Sequence, residues 1–376
     1  NIFERMEAAV RPSDRIVWVH AASLGEFEQA RPIIERLRAE HPEYKILLTF
    51  FSPSGSEIRK NYEGADYVFY LPADTPSNAR RFLDIVHPEI AIFIKYEFWI
   101  NLLSELRCRK VRSYIVSAIF RRNSVFFRPY GAMWRQALET FDTLFVQNVE
   151  SKRLLSEIGF DNVVVAGDTR FDRVAQIAAA AQRVETIERF RGRGRLFVAR
   201  STWGPDEEIL LPLVNANPDV KFVIAPHEMD EGRIAHLMRD AKGGAVRYTQ
   251  CDAATRFDDV QVLVLDTMGM LSSVYGSATW AYVGGGFGVG IHNTLEAATF
   301  GLPIAFGPNY GKFKEARDMV SLGCAVSVRT AGELAAWFAP LRDDEETLRR
   351  ASRTAKDYTA RNQGATGIIL RSIFNS

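Results

Sequence analysis

The residues of this chain best suited to chemistry are carboxylates placed where apolar runs turn into helices. Val17–Ala30 (VWVHAASLGEFEQA) sets Ser23, Gly25 and Glu26 at a strand-to-helix junction. Open α/β folds bind ligands at the carboxyl ends of parallel strands. A carboxylate there can take a proton from a hydroxyl as its oxygen attacks. The helix start favours the ionised form, whereas burial under a ligand opposes it. The plain alternative is a helix-start Glu with no chemistry. Lys95–Trp99 (KYEFW) closes another apolar run with Glu97, which needs a partner in such company and is either an ion-pair member or a site residue. Thr49–Glu57 (TFFSPSGSE), with Ser54 and Gly55, either binds hydroxyls or phosphate or forms an ordinary capped turn.

A second group lies late in the chain. Ala281–Gly290 (AYVGGGFGVG) follows directly on a strand-like run. Glycine lets backbone approach a ligand and adopt positive φ, so the run is either a site for an anion or a bare tight turn. His292–Ala298 (HNTLEAA) reads as the next helix, whose first N–H groups can meet an anion. Glu296, early in it, can accept bonds from a pair of ribose hydroxyls, or merely complement the helix dipole. Phe120–Tyr130 (FRRNSVFFRPY) interleaves Arg121, Arg122 and Arg128 with aromatics. Such a stretch suits a phosphate-bearing lipid at a bilayer surface, or is a folded loop with aromatics inside and arginines solvated.

Composition narrows the classes. A net charge of +1 gives no overall field for nucleic acid, and no nucleic-acid motif accompanies the basic stretch. Three scattered cysteines and six histidines without HxxxH spacing predict neither a disulfide framework nor a metal site. No apolar run reaches the roughly 18 residues of a membrane span, and no signal peptide is visible.

The elements that position these groups are short apolar runs alternating with amphipathic stretches. Strands are expected at 15–20, 45–51, 67–70, 90–94, 112–116 and 143–147, then at 196–199, 221–225, 262–266 and 279–283, with a helix at 27–40. Runs of this kind between helices predict parallel strands covered on both faces. Two such series with a break near 170–190 predict an α/β architecture of GT-B type, in which two Rossmann-like doubly wound domains face a central cleft. The expected bounds are 1–172, 173–350, and a C-terminal helical segment 351–376 returning to the first domain.

Taken together, the chain resembles the Kdo transferases, which add 3-deoxy-D-manno-octulosonic acid (Kdo) to the lipid A precursor. The matching segments include HAASLGE (20–26), SPSGSE (52–57), YEFW (96–99), GDTRFD (167–172), DTMGML (266–271), GGGF (284–287), HNTLEAA (292–298), GLPIAFGP (301–308) and FKEA (313–316), in the family's order. The resemblance implies CMP-Kdo as donor, the lipid A precursor as acceptor, inversion at the sugar carbon, and no metal or cofactor. It puts the catalytic base on Glu26 and the family's second acid on Glu97. CMP contacts fall on Pro226 and His227, on Met268, Gly269 and Met270, and on Asn293, Thr294, Leu295 and Glu296, with Ser201 and Thr202 beside them. Ser54, Gly55, Arg121 and Arg128 are left for the acceptor. It further implies work at the cytoplasmic face of the inner membrane, the family's N-terminal anchor being absent from this chain. Arg200 stands where the family usually has Gly, and either contacts a donor anion or obstructs the loop. The rival expectations are a GT-B enzyme using a UDP-sugar and a catalytically silent GT-B binding protein.

Overall fold

The protein is described by a computed structural model over residues 2–52 and 62–375. The chain divides into two compact units, 1–173 with 362–376, and 174–361.

The first unit holds one parallel sheet: β1 Ile16–His20, β2 Lys45–Phe50, β3 Tyr67–Tyr70, β4 Ile90–Ile94, β5 Arg112–Ala118, β6 Thr143–Val146 and β7 Val163–Val165. Their order is β3-β2-β1-β4-β5-β6-β7. Every residue of β1 is buried, because alternate side chains enter opposite layers. Ile16 and Trp18 join the core under helix Pro76–Val86, while Val17 and Val19 join the core under helix Leu24–Glu40. The second core also takes Ile369, Leu370 and Ile373 of the last helix, Ala365–Phe374.

The second unit repeats the plan with β8 Leu196–Thr202, β9 Lys221–Pro226, β10 Ala245–Arg247, β11 Val262–Val264, β12 Trp280–Val283, β13 Ile304–Phe306 and β14 Ala325–Ser327. The order is β10-β11-β9-β8-β12-β13-β14, again all parallel. Both sheets reverse winding direction once, between β1 and β4 and between β8 and β12. At such a reversal the loops diverge and leave a crevice beyond the carboxyl ends of the strands.

The return to the first unit starts at Asn362, not at residue 351: helix Glu345–Arg361 stays with the second unit, packing Ala355 into one core and Leu348 and Ala351 into the other. Asp172 then secures the returning chain, accepting bonds from the Gly364 N–H (2.6 Å), the Thr366 N–H (2.7 Å) and the Thr366 hydroxyl (2.7 Å). β7, β10, β13 and β14 were not anticipated. Each has only three residues, too few for a periodic signal.

Candidate functional sites

In the first unit the polar groups gather at the β1/β4 reversal. Helix Leu24–Glu40 begins three residues earlier than expected, because Ser23 caps it. Glu26 is therefore in the first turn and closes a capping box. Its Oε2 accepts from the Ser23 N–H and the Ser23 hydroxyl, both at 2.9 Å. Both bonds fall on one oxygen, and among the described residues no hydrogen bond reaches Oε1. The box thus fixes the carboxylate and leaves its second oxygen with unused acceptor capacity. Glu28 turns away to Arg173, at 3.1 Å.

Behind this turn lies a buried polar chain. The Trp18 indole N–H donates to the Thr49 hydroxyl (2.8 Å), which meets His20 Nδ1 (2.8 Å). His20 Nε2 lies 3.1 Å from Glu97 Oε2, and the Trp99 indole N–H donates to the same oxygen at 2.7 Å. Glu97 is thus an acceptor in a network that pins the loop after β4 to the end of β1. His20 is fully buried, which makes these partners obligatory. The backbone turns sharply where that loop starts: Lys95 has φ 60°.

Two further groups at this end were not singled out from sequence. Asp168 is buried and accepts from Gln29 (2.9 Å), the Arg170 N–H (2.9 Å) and the Arg170 guanidinium (2.8 Å). Burial alone would raise its pKa, but Arg170 and the hydrogen bonds hold it below the usual value. Tyr96 is exposed, with its hydroxyl pKa raised chiefly by burial of the oxygen, and it lies within the fields of Arg121, Asp168, Arg170 and Glu26. The usable signal was GDTRFD, in which an acid precedes a base by two residues directly after a strand.

Ser54 and Gly55 lie outside the described residues. Arg121 and Arg128 are exposed, and among the described residues neither makes an ion pair, whereas Arg122 is held by Glu157. The aromatics of this stretch divide: Phe120 and Phe126 are core residues, but Tyr130 is 76% exposed.

In the second unit the groups gather at the β8/β12 reversal, and three expectations change. First, the glycine run is not an open anion turn. A Cβ on Gly284 would lie 2.2 Å from the Ser201 carbonyl oxygen, and one on Gly286 2.6 Å from Gly307. These glycines let backbones cross, and the Gly285 N–H (3.1 Å) is already taken by buried Asp206. Asp206 also accepts from the Trp203 N–H and from Tyr282, and burial raises its pKa despite these bonds. Second, the helix after the run is only Leu295–Thr299, with His292–Thr294 preceding it. Third, Glu296 already accepts a bond within the fold on each of its oxygens. Its Oε2 accepts from Arg200 Nη1 at 2.8 Å, and its Oε1 accepts from Asn293 Nδ2 at 3.2 Å.

The other predicted donor residues fall around this pair. Ser201 is in the left-handed region at φ 49°. The Thr202 hydroxyl donates to Glu207 at 2.8 Å, so its proton is committed inside the fold. Pro226 ends β9, and the His227 N–H is held by the Thr202 carbonyl at 2.9 Å. The His227 ring lies between Trp203 and His292, at centroid distances of 4.6 and 4.5 Å. Burial, then His227 and Arg200, push the His292 pKa down from 6.5 to about 4, so the ring is neutral at pH 7. Met268, 90% exposed, and Gly269, at φ 85°, precede Met270 on an open loop after β11. Thr294 and Leu295 are buried. Among the described residues no group of three or more His, Cys, Asp or Glu is placed to hold a metal ion, and no helix is long and apolar enough to cross a membrane.

Two doubly wound parallel units, each with its polar side chains at the point of reversal, define a two-domain α/β protein of the GT-B type. Residues 1–173 match the family model described as 3-Deoxy-D-manno-octulosonic-acid transferase (kdotransferase). The chain is 26% identical over 378 residues to the 3-deoxy-D-manno-octulosonic acid transferase of Haemophilus influenzae, covering 96% of this chain and 86% of that one. It is 28% identical over 372 residues to that of Bordetella pertussis, covering 95% and 86%. The chain is thus similar to Kdo transferases over most of its length, and its first 173 residues match their family model. Among solved structures, UDP-GlcNAc 2-epimerase from Neisseria meningitidis bound to UDP-GlcNAc superposes with a TM-score of 0.68 at 15% identity, covering 96% of this chain and 100% of that chain, which shows a shared fold.

Proposed function

We propose that this protein transfers Kdo from CMP-Kdo to a hydroxyl of the lipid A precursor in lipopolysaccharide biosynthesis, with Glu26 as general base. The observation that carries the mechanism is the division of labour on Glu26: Ser23 holds Oε2, and Oε1 has no partner among the described residues. In this reading Oε1 takes the acceptor's proton as that oxygen bonds to the donor's anomeric carbon. The bond from that carbon to the phosphate oxygen breaks on the opposite face, CMP leaves with the electron pair, and the configuration inverts. CMP is a stable leaving group, so the protein has to activate one hydroxyl, bind one anion and align two substrates. No metal or cofactor is given a role.

In this assignment the first unit takes the acceptor, with Glu97 fixed by His20 and Trp99. Exposed Arg121 and Arg128, with Tyr130, would face phosphates at the cytoplasmic surface of the inner membrane. The second unit takes the donor through Ser201, Thr202, Pro226, His227, residues 268–270 and residues 293–296.

The decisive assay incubates purified protein with CMP-Kdo and the lipid acceptor and reads the product's mass. The expected product is heavier by one or more Kdo units. Folded protein that gives no transfer would favour a silent binding protein, and transfer from a UDP-sugar instead would move the chain to another GT-B activity.

A further inference from the structure

The pair Arg200–Glu296 combines features that a structural ion pair does not need. Arg200 lies at the end of β8, paired across the sheet with Val283 of β12, at the winding reversal itself. Its side chain is only 15% exposed and that of Glu296 19%. Both hydrogen bonds of the guanidinium leave from Nη1, to Glu296 Oε2 at 2.8 Å and to the Asn293 carbonyl at 3.5 Å. Nε is buried with no partner among the described residues. Two more buried polar atoms nearby are unpaired or poorly paired. The Tyr275 hydroxyl lies against Arg200 and near Glu296 in a contact that falls short of a well-formed hydrogen bond, and the Thr294 hydroxyl, which adjoins Asn293, has no partner among the described residues. Tyr275 and Thr294 are each 1% exposed.

Buried polar atoms left unpaired or poorly paired around one clamped cation are unfavourable in an empty site. They become favourable when a ligand supplies acceptors. A guanidinium held by one nitrogen still offers a planar donor edge, which matches a carboxylate or phosphate in bidentate fashion. Glu296, bonded through both oxygens, orients that cation. Tyr275 and Glu296 more than offset the effect of burial on Arg200, so the guanidinium stays charged.

We infer that Arg200, held in place by Glu296, is an anion-recognition residue of the donor site, contacting the phosphate or the sugar carboxylate of the nucleotide sugar. On this inference Glu296 is a positioning residue for Arg200, not a ribose ligand acting alone. The inference rests on the assignment of the donor to the second unit.

The test is calorimetric binding of cytidine, CMP and CMP-Kdo to wild type, Arg200→Gly and Arg200→Lys, with thermal melts to confirm folding. Cytidine has neither anionic group, CMP has the phosphate, and CMP-Kdo has both. In Arg200→Gly the preference for an anionic ligand over cytidine should fall by about tenfold or more, in line with loss of a charge-assisted pair, while cytidine affinity is kept. Arg200→Lys should retain part of it, since the charge stays and the fork is lost. A fall already present with CMP assigns the phosphate. A fall seen only with CMP-Kdo assigns the carboxylate. Unchanged preferences in both folded variants, or tighter CMP binding by Arg200→Gly, would overturn the inference and leave the donor site standing. Wild type that binds none of the three ligands would remove the donor assignment and this inference together. If Arg200→Gly does not fold, Arg200→Lys decides alone: wild-type preference for both anions refutes the inference.

Discussion

At the residue scale the two candidate sites use carboxylates in opposite ways. Among the described residues Glu26 keeps one oxygen unpaired, whereas each oxygen of Glu296 accepts a bond. Glu26 also supports its helix, so its two roles must be separated by choice of substitution. Glutamine can still close a capping box at the third helical position but cannot act as the base. Glu26→Gln should keep its melting temperature and CMP affinity while turnover falls at least about 100-fold. Steady-state kinetics beside a calorimetric titration measure both, and wild-type turnover would take Glu26 out of the mechanism. His292 gives a prediction in pH. Its folded pKa lies below the unfolded value, from 6.5 down to about 4, so the native state excludes the proton. The associated stability is complete above pH 6.5 and drains away as pH falls towards about 4. Unfolding of the second unit, followed over that range, should become less dependent on pH in His292→Gln.

At the element scale the glycine run decides how β8 and β12 meet. Gly284 passes so close to the Ser201 carbonyl that no side chain fits, and Ser201 is itself in the left-handed region. The Arg200 carbonyl accepts the Gly284 N–H at 2.9 Å, which ties the run to the residue before Ser201. Gly284→Ala must push backbone against backbone, a cost of about 1–3 kcal/mol. A melting temperature lower by several degrees checks this, and weaker CMP binding should accompany it, because Arg200 and Ser201 move with the strand. The apolar alternation of β1, β2 and β4 and the strand-to-helix junction at Glu26 were legible in the sequence, since both are local patterns. The glycine run could be read either as a site for an anion or as a tight turn, because nothing local records that another backbone occupies the space.

At the scale of the whole molecule each unit builds two core layers of its own, and the last residues of the chain close one layer of the first. Ile369, Leu370 and Ile373 complete the layer over β1, β2 and β4, and Asp172 anchors their approach. Ile369→Ala should destabilise the first unit by about 2–5 kcal/mol. Hydrogen exchange read by mass spectrometry should show faster exchange in peptides from residues 16–50 and 90–118, with peptides from residues 196–361 unchanged. Uniform acceleration throughout would mean that the two units unfold as one.

The sequence by itself determined the two doubly wound α/β units, their approximate division, the carboxylate at the first strand-to-helix turn and the resemblance to the Kdo transferases. Those follow from hydrophobic period, capping chemistry and short ordered motifs, all written within a few residues of one another. Only the tertiary structure decided that His20 and Trp99 hold Glu97, that Asp206 takes the amide of the glycine run, and that Arg200 occupies Glu296. Each joins groups from different strands and loops, up to 96 positions apart for Arg200 and Glu296. Hydrogen bonds and charge pairs are short-ranged in space and indifferent to distance along the chain, so winding the sheet is what brings such partners together.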